Sequence, residues 1–406
     1  MRVQRRTPTL LRERSACVFE FATATRIVYG EGVVREVAPA ARELGTRALV
    51  VTGRSDQRSA PLRTELVEAG VACQTFHVDG EPTVEGVQLG AKIAEAERCD
   101  LVIGFGGGSA LDAGKAIAAL LTNGGDLLEY LEVIGHGQPL RVAPAPFIAV
   151  PTTAGTGTEV TRNAVLDSPP HRVKVSLRSP RMLPCLAVVD PELSLDLPPE
   201  VTARTGLDAL TQLIEPYVSN RANPLTDSFC VEGLARARRS LRRAYHDGRD
   251  RAARADMSLA SLLGGLALAN AALGVVHGFA GPVGGMFPAP HGAVCAALLP
   301  YGIETNIRAL RMRHPAGETL RRYETVARLL TGRPQASAED TVEWTREICR
   351  ELQIPSLRVY GVRDADWPAL IERAMRASSM KGNPIALTPD ELREVLVGAC
   401  GFSLNP

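Results

Sequence analysis

The stretch "DLVIGFGGGSALDAGKA", residues 100–116, joins a strand-like apolar run to a helical segment through three consecutive glycines. A continuous apolar run of this length, bounded by glycine, is typical of a strand buried on both faces of a sheet. The Ala-rich segment that follows has the composition of a helix. Buried strands that alternate with helices form layered α/β domains, so this stretch predicts a mostly parallel sheet covered by helices.

The same alternation extends through the first half of the chain. Further strand-like runs occur at residues 17–22, 47–53, 72–78, 146–153 and 185–190. A Pro- and Asp-rich passage then ends the alternation, and Ala- and Leu-rich segments follow that are helical by propensity and period. We therefore expect two domains, an α/β domain over 17–195 and an all-helical domain over 196–406.

Composition is that of an ordinary globular protein. The 406 residues carry 46 Lys and Arg against 45 Asp and Glu, a net charge of +1, which indicates neither nucleic acid nor an anionic membrane as a partner. No apolar run is long enough for a membrane span or a signal peptide. Eight scattered cysteines without a C-x-x-C pair favour reduced thiols in a cytoplasmic protein. The Arg-rich residues 1–16 are expected to form a disordered tail, with organelle targeting as an alternative.

The glycine turn has the properties of an anion site. Gly106, Gly107 and Gly108 let backbone amides approach a phosphate, and the N-terminus of the following helix carries partial positive charge. Ser109 and Asp112 lie in the first turn of that helix and favour a ligand-binding role. The spacing matches neither the Rossmann glycine motif nor the P-loop, and a purely structural turn is the alternative.

A second polar segment, "PTTAGTGTEVT" at 151–161, also follows a strand and offers the hydroxyls of Thr152, Thr153 and Thr161. Turns at the carboxyl ends of parallel strands are where open α/β sheets bind nucleotides. A dinucleotide would explain both turns. The alternative is a Thr-rich loop that satisfies its own backbone.

Four polar residues in the second half suggest a metal site. In "GLDALTQLIEP", residues 206–216, Asp208 and Gln212 lie one helical turn apart on the same face. His277 and His291 border a Gly- and Pro-rich segment that we interpret as a loop able to fold back on itself. Together they form a plausible divalent site. A solvated polar helix face and ordinary core histidines are the alternatives.

Five blocks of the chain, in this order, carry a resemblance to a known family: "GGGSALDAGKA", "PTTAGTGTEVT", "DPEL", "DALTQLIEPYVS" and "VVHGFAGPVGGMFPAPHGAVCAALLP". From about residue 18 to the C-terminus the sequence resembles the iron-containing (group III) alcohol dehydrogenases. The resemblance implies a dehydroquinate synthase-like fold with an N-terminal dinucleotide-binding α/β domain, a C-terminal all-α domain and a metal in the cleft between them. It also implies a homodimer and hydride transfer between NAD(P) and an alcohol or aldehyde.

Position by position, Asp208, His277 and His291 match three of the family's four metal ligands. The family usually has histidine where this chain has Gln212, and another cleft histidine is replaced here by Gly281. A glutamine oxygen is a weaker donor than imidazole to Fe²⁺ or Zn²⁺. We therefore expect an Asp/His/His catalytic site, with Gln212 as a weak fourth ligand or a supporting group.

The residues at the end of the strand-like run 47–53 predict the choice between NAD and NADP. NAD-selective proteins commonly place an acid there, whereas this chain has Gly53 followed by Arg54. With no acid and a guanidinium nearby, NADP is expected to be accepted as well as NAD. Lys174 resembles a family lysine near the cofactor ribose.

The function expected from these features is a metal-dependent NAD(P)-linked alcohol dehydrogenase that also reduces aldehydes or ketones. One alternative is a sister enzyme of the same fold: a maleylacetate reductase, a glycerol dehydrogenase or a dehydroquinate synthase-like lyase. Turnover of simple alcohols against glycerol or an oxoacid discriminates these. The other alternative is a metal-free nucleotide-binding protein, which metal analysis discriminates.

Overall fold

A computed structural model describes residues 18–401 of the chain, and the predicted tail at 1–16 lies outside the described residues. The strands are β1 (Ile27–Tyr29), β2 (Arg47–Thr52), β3 (Ala72–His77), β4 (Leu101–Gly106), β5 (Phe147–Pro151), β6 (Asn163–Ser168), β7 (Val173–Arg178) and β8 (Leu186–Val189). Six of them form one parallel sheet in the order β1-β8-β5-β4-β2-β3, and β6 pairs with β7 as an antiparallel hairpin.

Four helices accompany this sheet: α1 (Val37–Leu44), α2 (Asp56–Glu68), α3 (Val84–Ala96) and α4 (Gly108–Asn123). β4 is buried along its whole length, as the apolar run predicts, and it pairs with β2 on one side and β5 on the other. Gly114 brings α4 close to the sheet, since a Cβ there would lie 2.7 Å from the ring of Phe147. The predicted α/β domain with a parallel sheet is confirmed.

The rest of the described chain is helical. Its helices are α5 (Pro199–Val218), α6 (Pro224–His246), α7 (Arg251–Ala271), α8 (Val275–Met286), α9 (His291–Arg313), α10 (Glu318–Thr331), α11 (Ala338–Glu351), α12 (Trp367–Arg376) and α13 (Pro389–Gly401). α5 is buried along most of its length and packs against α6, α7 and α9. The predicted helical second half is confirmed. In the part of the chain described, no single helix is long and apolar enough to cross a membrane, while α7 and α8, bent by 98° at their junction, pass that test as a pair.

One local prediction was wrong, and one element was missed. The described part of the run 17–22 is not a strand, because its backbone bonds to a helix instead: the Asn270 side chain accepts from the Ala22 N–H at 2.7 Å and donates to the Ala22 carbonyl at 3.0 Å. The first strand is β1, a few residues later. The β6–β7 hairpin was not predicted, although every second residue of β6 is buried, a period-2 pattern.

Glycines let the two halves touch at backbone distance. A Cβ on Gly157, in the Thr-rich loop, would lie 2.3 Å from the Cα of Gly265 in α7. A Cβ on Gly285 in α8 would lie 2.6 Å from the backbone nitrogen of Lys174 in β7. The carboxyl edge of the sheet is thereby held against the helices that carry the candidate metal ligands.

Candidate metal centre and nucleotide cleft

One face of α5 carries Asp208, Gln212 and Glu215, spaced by four and three residues. All three side chains are buried, and Asp208 is 1% exposed. Among the described residues, neither Asp208 Oδ1 nor Gln212 Oε1 has a hydrogen-bond partner. Buried polar atoms are normally paired, so each of these oxygens indicates a partner that the described residues do not supply.

His277 lies in the first turn of α8, and most of the Gly- and Pro-rich segment that it borders, which we expected to be a loop, is part of that helix. The glycines that suggested a loop serve packing instead: Gly284 and Gly285 allow α8 to lie directly on β7. The N-terminus of α8 is capped from outside, because Glu215 Oε1 accepts the Val276 N–H at 2.7 Å. The negative charge of the Glu215 carboxylate at this end also interacts favourably with the positive end of the helix dipole.

The orientation of the His277 ring follows from the same carboxylate. Glu215 Oε2 lies 2.7 Å from His277 Nδ1. A carboxylate only accepts hydrogen bonds, so Nδ1 carries the proton. Nε2 then faces Asp208 Oδ1 at 3.3 Å and has no hydrogen-bond partner in the described chain. A carboxylate that fixes the imidazole in this way is the usual support of a metal-binding histidine.

His291 is the first residue of α9, and its Nε2 lies 3.9 Å from Asp208 Oδ1. Its side chain is 34% exposed, in contrast to those of Asp208 and His277. Cys295, one turn later, is buried, and its Sγ lies 3.6 Å from His291 Nε2. The structure therefore brings Asp208, His277 and His291 together as predicted and adds Cys295, which sequence reasoning missed.

The cluster fits a divalent metal. One ligand atom from each of Asp208, His277, His291 and Cys295 lies within 4.8 Å of all the others. Four ligands at zinc bonding distances of about 2.0–2.3 Å would lie roughly 3.3–3.7 Å from one another in a tetrahedron. Since the pairs above are separated by 3.3, 3.6 and 3.9 Å, small side-chain adjustments would suffice.

Mutual electrostatics keep the cluster charged despite burial. Burial alone would raise the pKa of Asp208, yet the neighbouring His291 and His277 lower it below its ordinary value. Burial alone would lower the pKa of His277, yet Cys295, Asp208 and Glu215 raise it well above its ordinary value. The pKa of His291 is likewise raised, against burial, by Cys295 and Asp208. A bound cation would replace the protons that this anionic surrounding favours.

The glycine turn and the Thr-rich loop lie side by side at the carboxyl edge of the sheet. The Thr152 N–H donates to the Gly106 carbonyl at 2.8 Å, which ties the two segments together. Gly107 caps α4, and a Cβ on Gly108 would lie 2.7 Å from Thr156 Cγ2. Thr153 is also close, 3.4 Å from the position of a Cβ on Gly107. The predicted nucleotide-binding segments therefore form one continuous edge.

Two of the predicted cofactor residues, Asp112 and Thr161, stabilise this edge through buried hydrogen bonds. Asp112 accepts from Thr158 Oγ1 at 3.0 Å and from the Val165 N–H at 3.1 Å. Thr161 Oγ1 accepts from Lys115 Nζ at 2.8 Å, and Lys115 also donates to the Thr158 carbonyl at 2.9 Å. Lys115 is thus an anchoring residue that sequence reasoning missed. Ser109 is half-buried, whereas Asp112 and Thr161 are buried, and direct cofactor contact of these three residues stays a prediction.

The remaining cofactor candidates are Gly53 and Lys174, with Arg54 beside the first. Gly53, directly after β2, would point a Cβ into open space, and Arg54 is ion-paired with Asp79. Lys174 Nζ lies 2.9 Å from Glu81 Oε2 and would lie 3.2 Å from a Cβ on Gly284, so it sits between the sheet domain and α8. The guanidinium expected to meet a ribose phosphate is therefore already paired.

Gly281 lies one turn after His277 in α8. A Cβ built at this position meets no heavy atom within 4 Å. Among residues 18–401, the position that the family resemblance assigns to a second cleft histidine is therefore open space.

Comparison with known proteins finds matches to both halves of the chain. A family model described as iron-containing alcohol dehydrogenase matches residues 24–191, and a model of the Fe-containing alcohol dehydrogenase family, C-terminal, matches residues 202–400. Alcohol dehydrogenase 4 of Saccharomyces cerevisiae (strain YJM789) is 34% identical over 374 residues, which is 91% of this chain and 95% of that protein.

Solved structures are similar over nearly the whole chain. A crystal structure of 1,3-propanediol oxidoreductase has a TM-score of 0.87 at 32% identity and covers 94% of this chain and 100% of its own. Sulfoacetaldehyde reductase from Bifidobacterium kashiwanohense, in complex with NAD⁺, has a TM-score of 0.83 at 26% identity and covers 96% and 100%. Since the two models together span both halves and the yeast relative is alike from end to end, this chain belongs to the iron-containing alcohol dehydrogenase family.

Proposed function

We propose that Asp208, His277 and His291 hold a divalent metal ion at which this chain transfers hydride between NAD(P) and an alcohol or aldehyde. Membership of the family makes the chain an oxidoreductase acting on CH–OH groups. The residue assignments, the nucleotide preference and the substrate are the proposal.

One observation carries the metal assignment: buried polar atoms without partners converge on one point. Asp208 Oδ1 and His277 Nε2 are both orphaned, and they lie 3.3 Å apart. In the metal-free protein only a proton on His277 Nε2 could pair these two atoms, and burial, which by itself lowers the pKa of His277, disfavours that charge. A divalent cation satisfies both atoms at once, which favours the metalloenzyme over the metal-free alternative.

When bound, the metal supplies Lewis acidity toward the substrate oxygen and the nicotinamide accepts or donates the hydride. Glu215 holds His277 in the tautomer that presents Nε2. His291 is half-buried and borders the open side of the cluster, where a small alcohol would enter. With Gly281 in place of an imidazole, the proton of the alcohol would leave through water or a cofactor hydroxyl.

The nucleotide would lie along the edge formed by Gly106–Gly108, Ser109 and the loop 151–161. Backbone amides at the start of α4 suit a pyrophosphate. Gly53 supports acceptance of NADP, because its position carries no carboxylate to repel a 2′-phosphate. Arg54 supports it less than the sequence suggested, since its guanidinium is paired with Asp79. We therefore propose that both NAD and NADP are used.

For the substrate we propose a small primary alcohol and its aldehyde. Two of the similar structures are named for 1,3-propanediol and sulfoacetaldehyde, compounds of three and two carbons with a terminal hydroxyl or aldehyde group, which supports this substrate class. We further propose a homodimer, as the family resemblance implies, in the cytoplasm, where the thiols of the described chain, none in a disulfide, would persist.

The proposal is tested by metal analysis of the purified protein together with oxidation of NADH and NADPH against a panel of short aldehydes. About one Fe²⁺ or Zn²⁺ per chain and turnover that chelation abolishes are expected. His291→Ala should lose metal and activity together. His246→Ala is the matched control, because His246 is an exposed imidazole that pairs with Glu351 outside the cluster.

Two outcomes would contradict the proposal. Turnover that survives complete metal removal would show that the cluster is not the reaction centre. Equal metal content in the His291→Ala variant and the parent protein would show that the ligands lie elsewhere. Light scattering that reports a monomer would refute the dimer alone.

A further inference from the structure

Cys295 lies among the candidate metal ligands and not only among apolar core residues. It lies four residues after His291 on α9, so both side chains project from one helix face. Its side chain is 0% exposed, and its sulfur contacts the Nε2 of His291, the nitrogen that faces Asp208. The thiol therefore points at the centre of the cluster.

Two other cysteines of the described chain, the buried Cys349 and the half-buried Cys185, are placed differently. The Cys349 thiol donates to the Ala296 carbonyl at 3.4 Å, and the Cys185 thiol donates to the Phe147 carbonyl at 3.1 Å. Such bonds to backbone carbonyls are how buried thiols are usually accommodated. Cys295 is instead grouped with Asp208, His277 and His291, with all four ligand atoms within 4.8 Å of one another.

Gln212 lies in the position where the family resemblance expects the fourth ligand, yet its oxygen lies near the Thr-rich loop. A Cβ on Gly157 would be 3.4 Å from Gln212 Oε1, and a Cβ on Gly264 would be 3.3 Å from Gln212 Cβ. The amide thus lies between α7 and the loop 151–161, at the seam of the two halves. An amide oxygen is also the weakest donor of the set toward a transition metal.

We propose that the Cys295 thiolate is the fourth protein ligand of the metal and that the site selects Zn²⁺. The proposal rests on the proposed function insofar as the cluster must hold a metal at all. On binding, the S–H proton of Cys295 is released to solvent and a sulfur–metal bond forms, with no change of oxidation state. Asp208, Cys295, His277 and His291 then complete an O/S/N/N set.

This ligand set changes the chemistry of the centre. One carboxylate and one thiolate balance a divalent ion, whereas one carboxylate with three neutral imidazoles leaves a net charge near +1. A softer donor favours zinc over Fe²⁺, whose preference is for nitrogen and oxygen. A substrate oxygen would then have to enter as a fifth ligand, an expansion that catalytic zinc sites permit.

The test is cobalt substitution of the purified holoprotein, with Co²⁺ alone as the probe. A thiolate–Co²⁺ bond gives an intense charge-transfer band in the near ultraviolet, which carboxylate, imidazole and amide ligands do not give. We expect the band in the wild type, in Gln212→Ala and in the matched control Cys349→Ser. Cys295→Ser should bind Co²⁺ without the band and with affinity lower by about tenfold or more.

Zinc X-ray absorption of the wild-type protein gives a second reading that needs no variant. One sulfur scatterer at about 2.3 Å is expected. Bound cobalt without the band, a band that survives in Cys295→Ser, or a zinc shell without sulfur would each overturn the thiolate ligand and leave the metal site standing. A wild-type protein that binds no cobalt or zinc would overturn the proposed function and this inference together.

Discussion

Replacing Glu215 with glutamine removes the acceptor that orients His277, although Glu215 has no predicted contact with metal or substrate. The carboxylate accepts two hydrogen bonds at 2.7 Å, from the Val276 N–H and from His277 Nδ1. A glutamine of the same shape has one accepting oxygen and one donating nitrogen. Whichever way the amide turns, one donor therefore faces another donor.

One orientation of the amide lowers the stability of the protein, and the other weakens metal binding. If the amide nitrogen faces Val276, a buried N–H at the start of α8 is orphaned at a cost of about 1–3 kcal/mol, and the anion at the helix N-terminus, worth about 0.3–1 kcal/mol, is gone. If it faces His277, the ring must move its proton to Nε2, the atom that would bind the metal. We expect the Glu215→Gln variant to be less stable by about 1–4 kcal/mol and to bind metal about 10–100-fold more weakly.

The assay combines competition of the metal with a chelator, urea unfolding of the metal-free protein, and NMR of protein labelled with ¹⁵N-histidine, of which the chain has seven. The spectrum reports whether His277 keeps its proton on Nδ1. The control is Glu159→Gln, another buried Glu, whose carboxyl lies outside the cluster. Unchanged metal affinity in Glu215→Gln, or an equal loss in Glu159→Gln, would refute the positioning role.

Three further predictions concern the cleft and its support. Gly53→Asp should lower the NADPH to NADH ratio of kcat/KM at least about tenfold, because a carboxylate fits the open space there and repels a 2′-phosphate; the uncharged Gly53→Asn should not. Burial raises the pKa of Glu159 from 4.5 to about 7, so the folded protein binds more protons than the unfolded chain between these values. Its contribution to the free energy of unfolding, roughly 3 kcal/mol at most, is therefore present at low pH and lost as the pH rises from about 4.5 to 7. In urea unfolding at several pH values, Glu159→Gln should remove this part of the pH dependence of stability. An unchanged pH dependence in the variant would contradict the reasoning. Gly265→Ala should destabilise the protein by about 1–3 kcal/mol, because its Cβ would lie 2.6 Å from the Gly157 carbonyl oxygen, whereas Gly281→Ala should be nearly neutral in thermal unfolding.

The centre of the sheet could be predicted because β2, β4, β5 and β8 are buried on both faces. Continuous apolar runs such as Leu101–Gly106 have no polar alternation, and helices separate them, so both the strand type and the parallel arrangement follow. The β6–β7 hairpin lacks this signal. Its turn, at Pro169–His171, reads as an irregular loop, and its strands alternate between buried and half-buried positions over six residues each.

α8 could not be recognised because its stability comes from tertiary contacts. Four glycines and Pro282 lie within twelve residues, which local propensity assigns to a loop. The helix forms because Glu215 and Asn383 accept its first N–H groups and because its glycines fit against β7. These partners are 60 to more than 100 residues away in the sequence, so no local pattern reveals them.

The candidate site was predicted in part. Asp208, His277 and His291 carried the resemblance to the family, and the structure brings them together. Cys295 and Glu215 carried no signal of their own, because a buried cysteine in an apolar helix is usually a core residue and a helical glutamate is usually a surface residue. The spacing of four between His291 and Cys295 was the one available clue.

A metal ligand at Cys295 in place of Gln212 also affects how the nucleotide edge and the metal helices are kept aligned. Hydride transfer needs the nicotinamide and the substrate carbon about 3–3.5 Å apart, so the metal helices must not slide relative to the sheet edge. Gln212 Oε1 lies near the seam where Gly157 meets Gly265, since a Cβ on Gly157 would be 3.4 Å from it, and the approach of the two glycines leaves no room for a side chain. If Cys295 binds the metal, Gln212 is free to pack at this seam. The position that the family resemblance assigns to a metal ligand would then help to align the cofactor with the metal.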